Sequence, residues 1–177
     1  MINCLPHEFP GQHIYLGQGE NKLSSLHVAK IIINKDIIEK VNLSKKVVQH
    51  RGNFGLPQEN FTRGWEDYRT GFGDMDREFW WGNELLSRLT LEGPAMELRV
   101  LLEAHDGRMA VAEYSTFRVE GEETEFRLWV DGFSGNASDS FSAHSSYKFS
   151  TVDRNNDEAP KCCPCAPAYG GGWWFYR

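Results

Sequence analysis

This sequence holds no apolar run approaching the roughly 20 residues that a membrane-spanning helix requires, so no helical span is read from it. It also lacks basic excess. Lysine and arginine number 19 against 25 acidic residues, the net charge is −6, and no basic stripe stands out. Nucleic acid is therefore a poor partner. The first residues, MINCLPHEFPGQHIY, have neither the basic nor the apolar region of a secretory leader. The expectation is either a cytosolic chain or one whose true N-terminus lies upstream. No segment repeats, and no heptad run is long enough for a coiled coil. GxSxG, HExxH and phosphate-cradling glycine motifs are missing as well, so no enzyme is expected.

Cysteine is scarce and unevenly spread: Cys4 stands alone, and Cys162, Cys163 and Cys165 crowd into four positions. A structural zinc site wants two such pairs, or a pair plus histidine at fixed spacing. The nearest histidine is His144 and there is no second pair, so zinc is disfavoured. The three neighbours cannot all bridge one another without strain. A disulfide framework with a missing half fits better.

What is present is aromatic. The 177 residues are 40% hydrophobic and 13% aromatic, with six tryptophans and eleven phenylalanines. That is enough for a real core in one domain, or one domain plus an extension. Residues 1–46 have a different texture from the rest. In HVAKIIINKDIIEKVNLSKKVV, Leu26, Ile33, Ile37 and Val41 fit a helical stripe, although β-branching weakens it.

From Val47 the chain becomes glycine- and aromatic-rich. TRGWEDYRTGFG reads as a short helix that puts Trp65, Tyr68 and Phe72 on one face, with Thr62 as cap and Gly71 and Gly73 as stops. GNELLSRLT reads as a second helix capped by Asn83. Met96, Leu98, Val100 and Leu102 alternate as in a strand, and the Asp-Gly of His105–Arg108 supplies a hairpin turn. EFRLWVDGFSG is a third strand with Phe126, Leu128 and Val130 inward. After Gly135 periodicity fades. The pattern is α+β with a loop-rich C-terminal part.

The last stretch carries the candidate chemistry. In DRNND, the oxygen-bearing side chains of Asp153, Asn155 and Asp157 alternate and can converge on a hard cation. It is not an EF-hand, because glutamate and proline stand where glycine and glutamate would be needed. Gly170–Gly172 follows a loop rather than a strand and fits backbone packing beneath the tryptophans. Asn42, Asn60 and Asn136 head glycosylation sequons, used only in a secretory setting.

Five stretches then resemble one family. They are VVQHRGNFGLPQENF, NFTRGWEDYRTGFGDMDREFWWGNELLSRLT, MELRVLLEAHDGRMAVAEYSTFRV, YKFSTVDRNND and CAPAYGGGWWFYR. In order and without large gaps, they resemble the fibrinogen C-terminal, or fibrinogen-related, domain over Val47–Arg177, in the manner of tachylectin-like and ficolin-like lectins. Residues 1–46 are left as an unassigned N-terminal segment.

The resemblance implies an antiparallel sheet flanked by short helices, with a C-terminal calcium and ligand region, here incomplete. It implies a secreted, non-enzymatic, glycosylated recognition domain of innate immunity that binds acetylated glycans. In the intact protein it would be a homo-oligomer. A structural or signalling module with a protein ligand, or a truncated product without binding, are the alternatives. Carried over residue by residue, the Ca2+ site falls on Asn155 and Asp157 with the carbonyls of Ala159 and Lys161, and Asp153 assists from outside. Asn155 stands where the family has an acid, so one negative charge is lost and binding should be weaker. Cys165 matches a family cysteine whose disulfide partner falls just beyond Arg177, outside this chain. The acetyl pocket maps onto Tyr169 and Arg177, with Trp173 and Trp174 as its buried underlay.

Overall fold

The computed structural model describes residues 26–35, 46–93 and 95–176. In chain order the elements are strand β1 (Leu26–Lys35), strand β2 (Lys46–Gly52) and helix α1 (Trp65–Thr70). Two short strands, β3 (Phe72–Gly73) and β4 (Phe79–Trp80), lead to helix α2 (Asn83–Leu91). Strands β5 (Met96–Ala104), β6 (Met109–Val119) and β7 (Leu128–Gly135) follow, and helix α3 (Cys165–Tyr169) comes last.

The alternation expected of residues 96–119 builds the centre of the sheet. Along β5, Met96, Leu98, Val100, Leu102 and Ala104 are buried, and the residues between them are half-buried. The β5–β6 turn uses its Asp-Gly as anticipated. Gly107 sits at φ 82, its N–H donates to Ala104 O at 2.9 Å, and Asp106 Oδ1 accepts the Arg108 N–H at 3.0 Å. β6 pairs antiparallel with β7 from Ala112–Gly135 to Val119–Leu128. Phe126, Leu128 and Val130 are all buried, although the strand begins only at Leu128.

The helical stripe through Leu26 and Ile33 does not form. Residues 26–35 are a strand that lies between β2 and β5 in a seven-stranded antiparallel sheet ordered β3-β4-β2-β1-β5-β6-β7. Ile31, Ile32 and Ile33 are all buried. A strand buried on both faces loses its two-residue period and reads as a plain apolar run, which is what misled the helical reading. Strand β1 lies within the N-terminal segment 1–46 that the sequence left unassigned. Ile37 and Val41 lie outside the described residues.

Helices α1 and α2 form where expected, but their caps differ. Thr62 does not cap α1; its hydroxyl donates to Gly170 O at 2.9 Å. The residue at the cap position is Gly64, and the N–H of Trp65 is satisfied by Asp153 Oδ1 at 2.9 Å. Asn83 is the first residue inside α2, after Gly82, and its side chain is buried with no hydrogen-bond partner. α2 rests on β6, where Thr90 Oγ1 accepts the Val119 N–H at 3.0 Å and donates to Leu86 O at 2.9 Å.

Candidate functional site

One close approach ties the final segment to the region after β7. Ser150 and Trp173 exchange backbone hydrogen bonds at 2.9 and 3.0 Å, which lays the final segment against the start of the DRNND turn. The glycine run makes this approach possible. A Cβ on Gly172 would stand 2.8 Å from carbons of both the Phe149 and Tyr68 rings. Gly170, at φ 69, ends α3 in the left-handed conformation with its N–H on Ala166 O at 2.9 Å. Tyr68 is buried beneath; its hydroxyl donates to Phe61 O at 2.8 Å, and burial pushes its pKa up to about 12.

The turn itself is written in side chain-to-backbone hydrogen bonds. Asp153 Oδ1 accepts from Thr151 Oγ1 at 2.6 Å and from the Trp65 N–H. Burial opposes its charge, but the hydrogen bonds from Thr151, from Trp65 and from its own backbone, with Arg154 alongside, outweigh it and hold the carboxyl below its ordinary pKa. Asn155 Oδ1 accepts the Asp157 N–H at 3.2 Å. Asp157 Oδ1 accepts the Ala159 N–H and Oδ2 the Cys165 N–H, each at 3.0 Å. Asn156 latches the turn from the other side, donating from Nδ2 to Phe149 O at 2.7 Å and from its N–H to Ser150 Oγ at 2.9 Å.

The proposed metal oxygens thus lie on one turn, but they do not share one job. Asp153 serves the N-terminus of α1, 88 residues earlier in the chain. Asn155, Asp157, Ala159 and Lys161 follow at alternate positions, and the Pro160 carbonyl between the last two is taken by the Cys163 N–H at 2.8 Å. Among the described residues, no group of three or more His, Cys, Asp or Glu is placed to hold a metal. The set read from the sequence is of another kind: one amide, one carboxylate and two main-chain carbonyls. All are oxygens, the donor chemistry of a hard cation, and each Asp157 oxygen keeps a lone pair after accepting its N–H. The donor set fits calcium, with a single formal negative charge.

Helix α3, whose first N–H is held by Asp157, carries one of the two ligand candidates. Tyr169, at the end of α3, is half-buried and stacks on Phe175 with centroids 5.8 Å apart and planes 12° from parallel. Arg177 lies outside the described residues. Trp173 and Trp174 are 3% and 1% exposed, which makes them core, as the sequence reading held. Trp174 Nε1 donates to Phe126 O at 2.6 Å.

The residue that sequence reasoning missed is His144. It is 4% exposed, and its Nδ1 lies 2.7 Å from Trp174 O. A carbonyl only accepts, so Nδ1 carries the proton and Nε2 is left a lone-pair acceptor. Nε2 has no hydrogen-bond partner. Burial lowers the His144 pKa, against the raising effect of the Trp174 hydrogen bond, so the ring is neutral at neutral pH. Tyr176 meets it edge-on at 4.9 Å, and Tyr147 lies 6.1 Å from Tyr176. Nothing local marks a histidine inside FSAHSS; its partners come 30 residues later.

Tyr169 on Phe175 makes one aromatic pair, and Tyr147, Tyr176 and His144 make a second group that meets the buried Trp173 through His144. The family profile of the fibrinogen beta and gamma chains, C-terminal globular domain, matches residues 36–177. Techylectin-5A of Tachypleus tridentatus is 36% identical over 131 residues, covering 74% of this chain and 44% of that protein. Ficolin-3 of Homo sapiens is 44% identical over 117 residues, 66% of this chain and 38% of its own length. The chain thus spans less than half of these relatives. Among solved structures, the fibrinogen-like globe domain of human ANGPTL6 superposes with a TM-score of 0.67 at 32% identity, over 86% of this chain and 69% of that one. Lamprey fibrin D-dimer, complexed with the peptide ligand Gly-His-Arg-Pro-amide, gives 0.66 at 34% identity, over 79% and 47%.

Proposed function

This chain belongs to the fibrinogen C-terminal globular domain family, and on that premise we propose that it is a recognition domain for acetylated glycans, part of a secreted, oligomeric lectin of innate immunity. The family consists generally of binding modules rather than enzymes. The observation that carries the reading is the half-buried Tyr169 ring, stacked on Phe175 and flanked through the glycine run by a rigid aromatic floor.

In this reading the methyl of an acetyl group packs on the aromatic rim, and polar groups of the same face take its carbonyl and N–H. A site of this kind is preformed: Tyr68, Phe149 and the two tryptophans fix the floor before any ligand arrives. A calcium ion, held by Asn155, Asp157 and the carbonyls of Ala159 and Lys161, would supply a local charge clamp on the turn. The chain's own hydrogen bonds from Ala159 and Cys165 to Asp157 already tie that turn to the start of α3. Single-site affinity would be weak, roughly millimolar, so useful avidity needs several copies.

The test compares binding to immobilised N-acetylated oligosaccharide with binding to its de-acetylated counterpart, with free acetylated sugar as competitor. Selective binding that free sugar removes supports the lectin reading. Equal binding to both surfaces, or none, overturns it. A second reading, a peptide or protein ligand, is favoured by one observation: a domain of this fold is complexed with a four-residue peptide in the lamprey fibrin structure. Partner binding that acetylated sugar does not compete would establish that reading instead.

A further inference from the structure

Neither the aromatic rim nor the cation turn uses Cys162 and Cys163. Their Sγ atoms lie 2.9 Å apart, with the Cys163 thiol donating toward the Cys162 sulfur. A disulfide bond measures 2.03–2.05 Å, so about 0.9 Å of further approach would close one. The backbone around them is braced. The Cys163 N–H is tied to Pro160 O at 2.8 Å, Pro164 follows at φ −65 and ψ 141, and the Cys165 N–H is tied to Asp157 Oδ2. Accessibility separates the pair from the third cysteine: Cys162 is exposed and Cys163 half-buried, whereas Cys165 is fully buried. An oxidant too large to enter the core reaches the first two only.

We propose that Cys162 and Cys163 are a redox-modification site that a small-molecule disulfide oxidises to a vicinal disulfide. Cys162, the more exposed, loses its proton to solvent and attacks one sulfur of the reagent. A mixed disulfide forms and one small thiolate leaves, taking up a proton. Cys163 then loses its proton and attacks the Cys162 sulfur, which closes the protein S–S bond and releases the second small thiol. The protein pair is oxidised by two electrons, and one small disulfide is reduced to two thiols. Neighbouring Cα atoms stand only ~3.8 Å apart across a trans peptide, below the usual 4.4–6.8 Å of disulfides. The ring is therefore strained and reopens readily on exchange with a thiol. It sits inside the Asp157–Cys165 turn, so its closing and opening act on the segment that contains Lys161.

The experiment uses the folded full chain and oxidised glutathione. The protein is incubated with excess reagent, its remaining thiols are alkylated with N-ethylmaleimide under denaturing conditions without reduction, and it is digested with trypsin. Cleavage after Lys161 places both cysteines on the peptide that begins at Cys162. The expected peptide shows neither cysteine alkylated and two hydrogens lost between them, a change that a mild thiol reverses. Alkylation of both cysteines despite excess oxidant overturns the proposal, as does a linkage from either one to Cys165 or Cys4. Cys162→Ser and Cys163→Ser should each stop at a glutathione adduct on the remaining cysteine. Loss of two hydrogens in either variant also overturns it.

Discussion

The sheet and the C-terminal segment are stabilised in opposite ways. In β5, β6 and β7 the order is written in backbone pairing, and the side chains need only alternate. Between Phe141 and Tyr176 there is little backbone pairing, and order comes from side chains bound to distant main-chain atoms and from rings packed edge to face. The first kind of order tolerates exchange of one apolar residue for another of similar volume. The second ties particular side-chain atoms to particular main-chain atoms, and so tolerates little. It is also the kind that can present phenols at fixed positions on a surface.

The strongest way to break the comparison is Trp174→Ala. It removes a 1% exposed ring that packs on Trp80, Phe149 and Trp173 and donates to Phe126 O, and it should cost about 3–5 kcal/mol. Leu98→Ala, in the middle of the sheet, gives the matching cost for a backbone-ordered region, about 2–5 kcal/mol. Urea unfolding followed by far-ultraviolet circular dichroism measures both.

Gly172→Ala comes next. Its Cβ meets the Tyr68 and Phe149 rings at 2.8 Å, an overpacking worth about 1–3 kcal/mol, and the Tyr169 rim should move with it. Gly107→Ala in the β5–β6 turn meets nothing within 4 Å and carries only the strain of its positive φ, so it should cost less. The two denaturation midpoints, taken together, separate crowding from backbone strain.

Asp153→Ala removes the acceptor for the Trp65 N–H and should cost about 0.5–2 kcal/mol, the range for a lost helix cap. Its folded pKa is depressed, so its contribution is fully present above the unfolded value of about 3.9 and is lost as pH falls through the folded one. Acid unfolding below pH ~4 should be less steep in Asp153→Asn than in the unaltered chain.

His144 works in a higher window. Its folded pKa also lies below its unfolded value, near 6.5, and for a base this means the unfolded chain takes the proton first. Stability is complete above that value and falls as pH drops below it. His50 in β2 shifts in the same direction through burial, so His144→Gln and His50→Gln should each flatten part of the midpoint change between about pH 7.5 and 5.5. The last effect expected is that of calcium at the proposed site. With the ion tenfold above its Kd, unfolding should be harder by about 1.4 kcal/mol, and a chelator should abolish the gain. A melting scan with and without chelator checks it.

Legibility in the sequence followed the same division. The β5–β6 hairpin was readable because a half-buried strand alternates and Asp-Gly marks its turn. Helix α1 was readable from Trp65 and Tyr68. Strand β1 was not, because burial on both faces erased its period. Strands β3 and β4 are two residues each, too short for any period, and α3 at five residues is hidden further by Pro167, which its first turn accommodates. Tyr169 was found through linked family motifs rather than periodicity, whereas the glycine run was readable directly as close backbone packing beneath the tryptophans. The capping role of Asp153 and the bond from His144 to Trp174 O were invisible, because each is defined by a partner far along the chain.

That separation in sequence also imposes a timetable. Asp153 serves a helix that begins 88 residues before it, so on a growing chain α1 waits for this partner. At the usual synthesis rate of about 5–20 residues per second, the delay is roughly 4 to 18 s. Through that interval the Trp65 N–H must rely on solvent or on another acceptor. The face of α1 that later meets the C-terminal rings stays open to neighbouring nascent chains. The step that completes this packing is thus also the step that withdraws this helix from its neighbours.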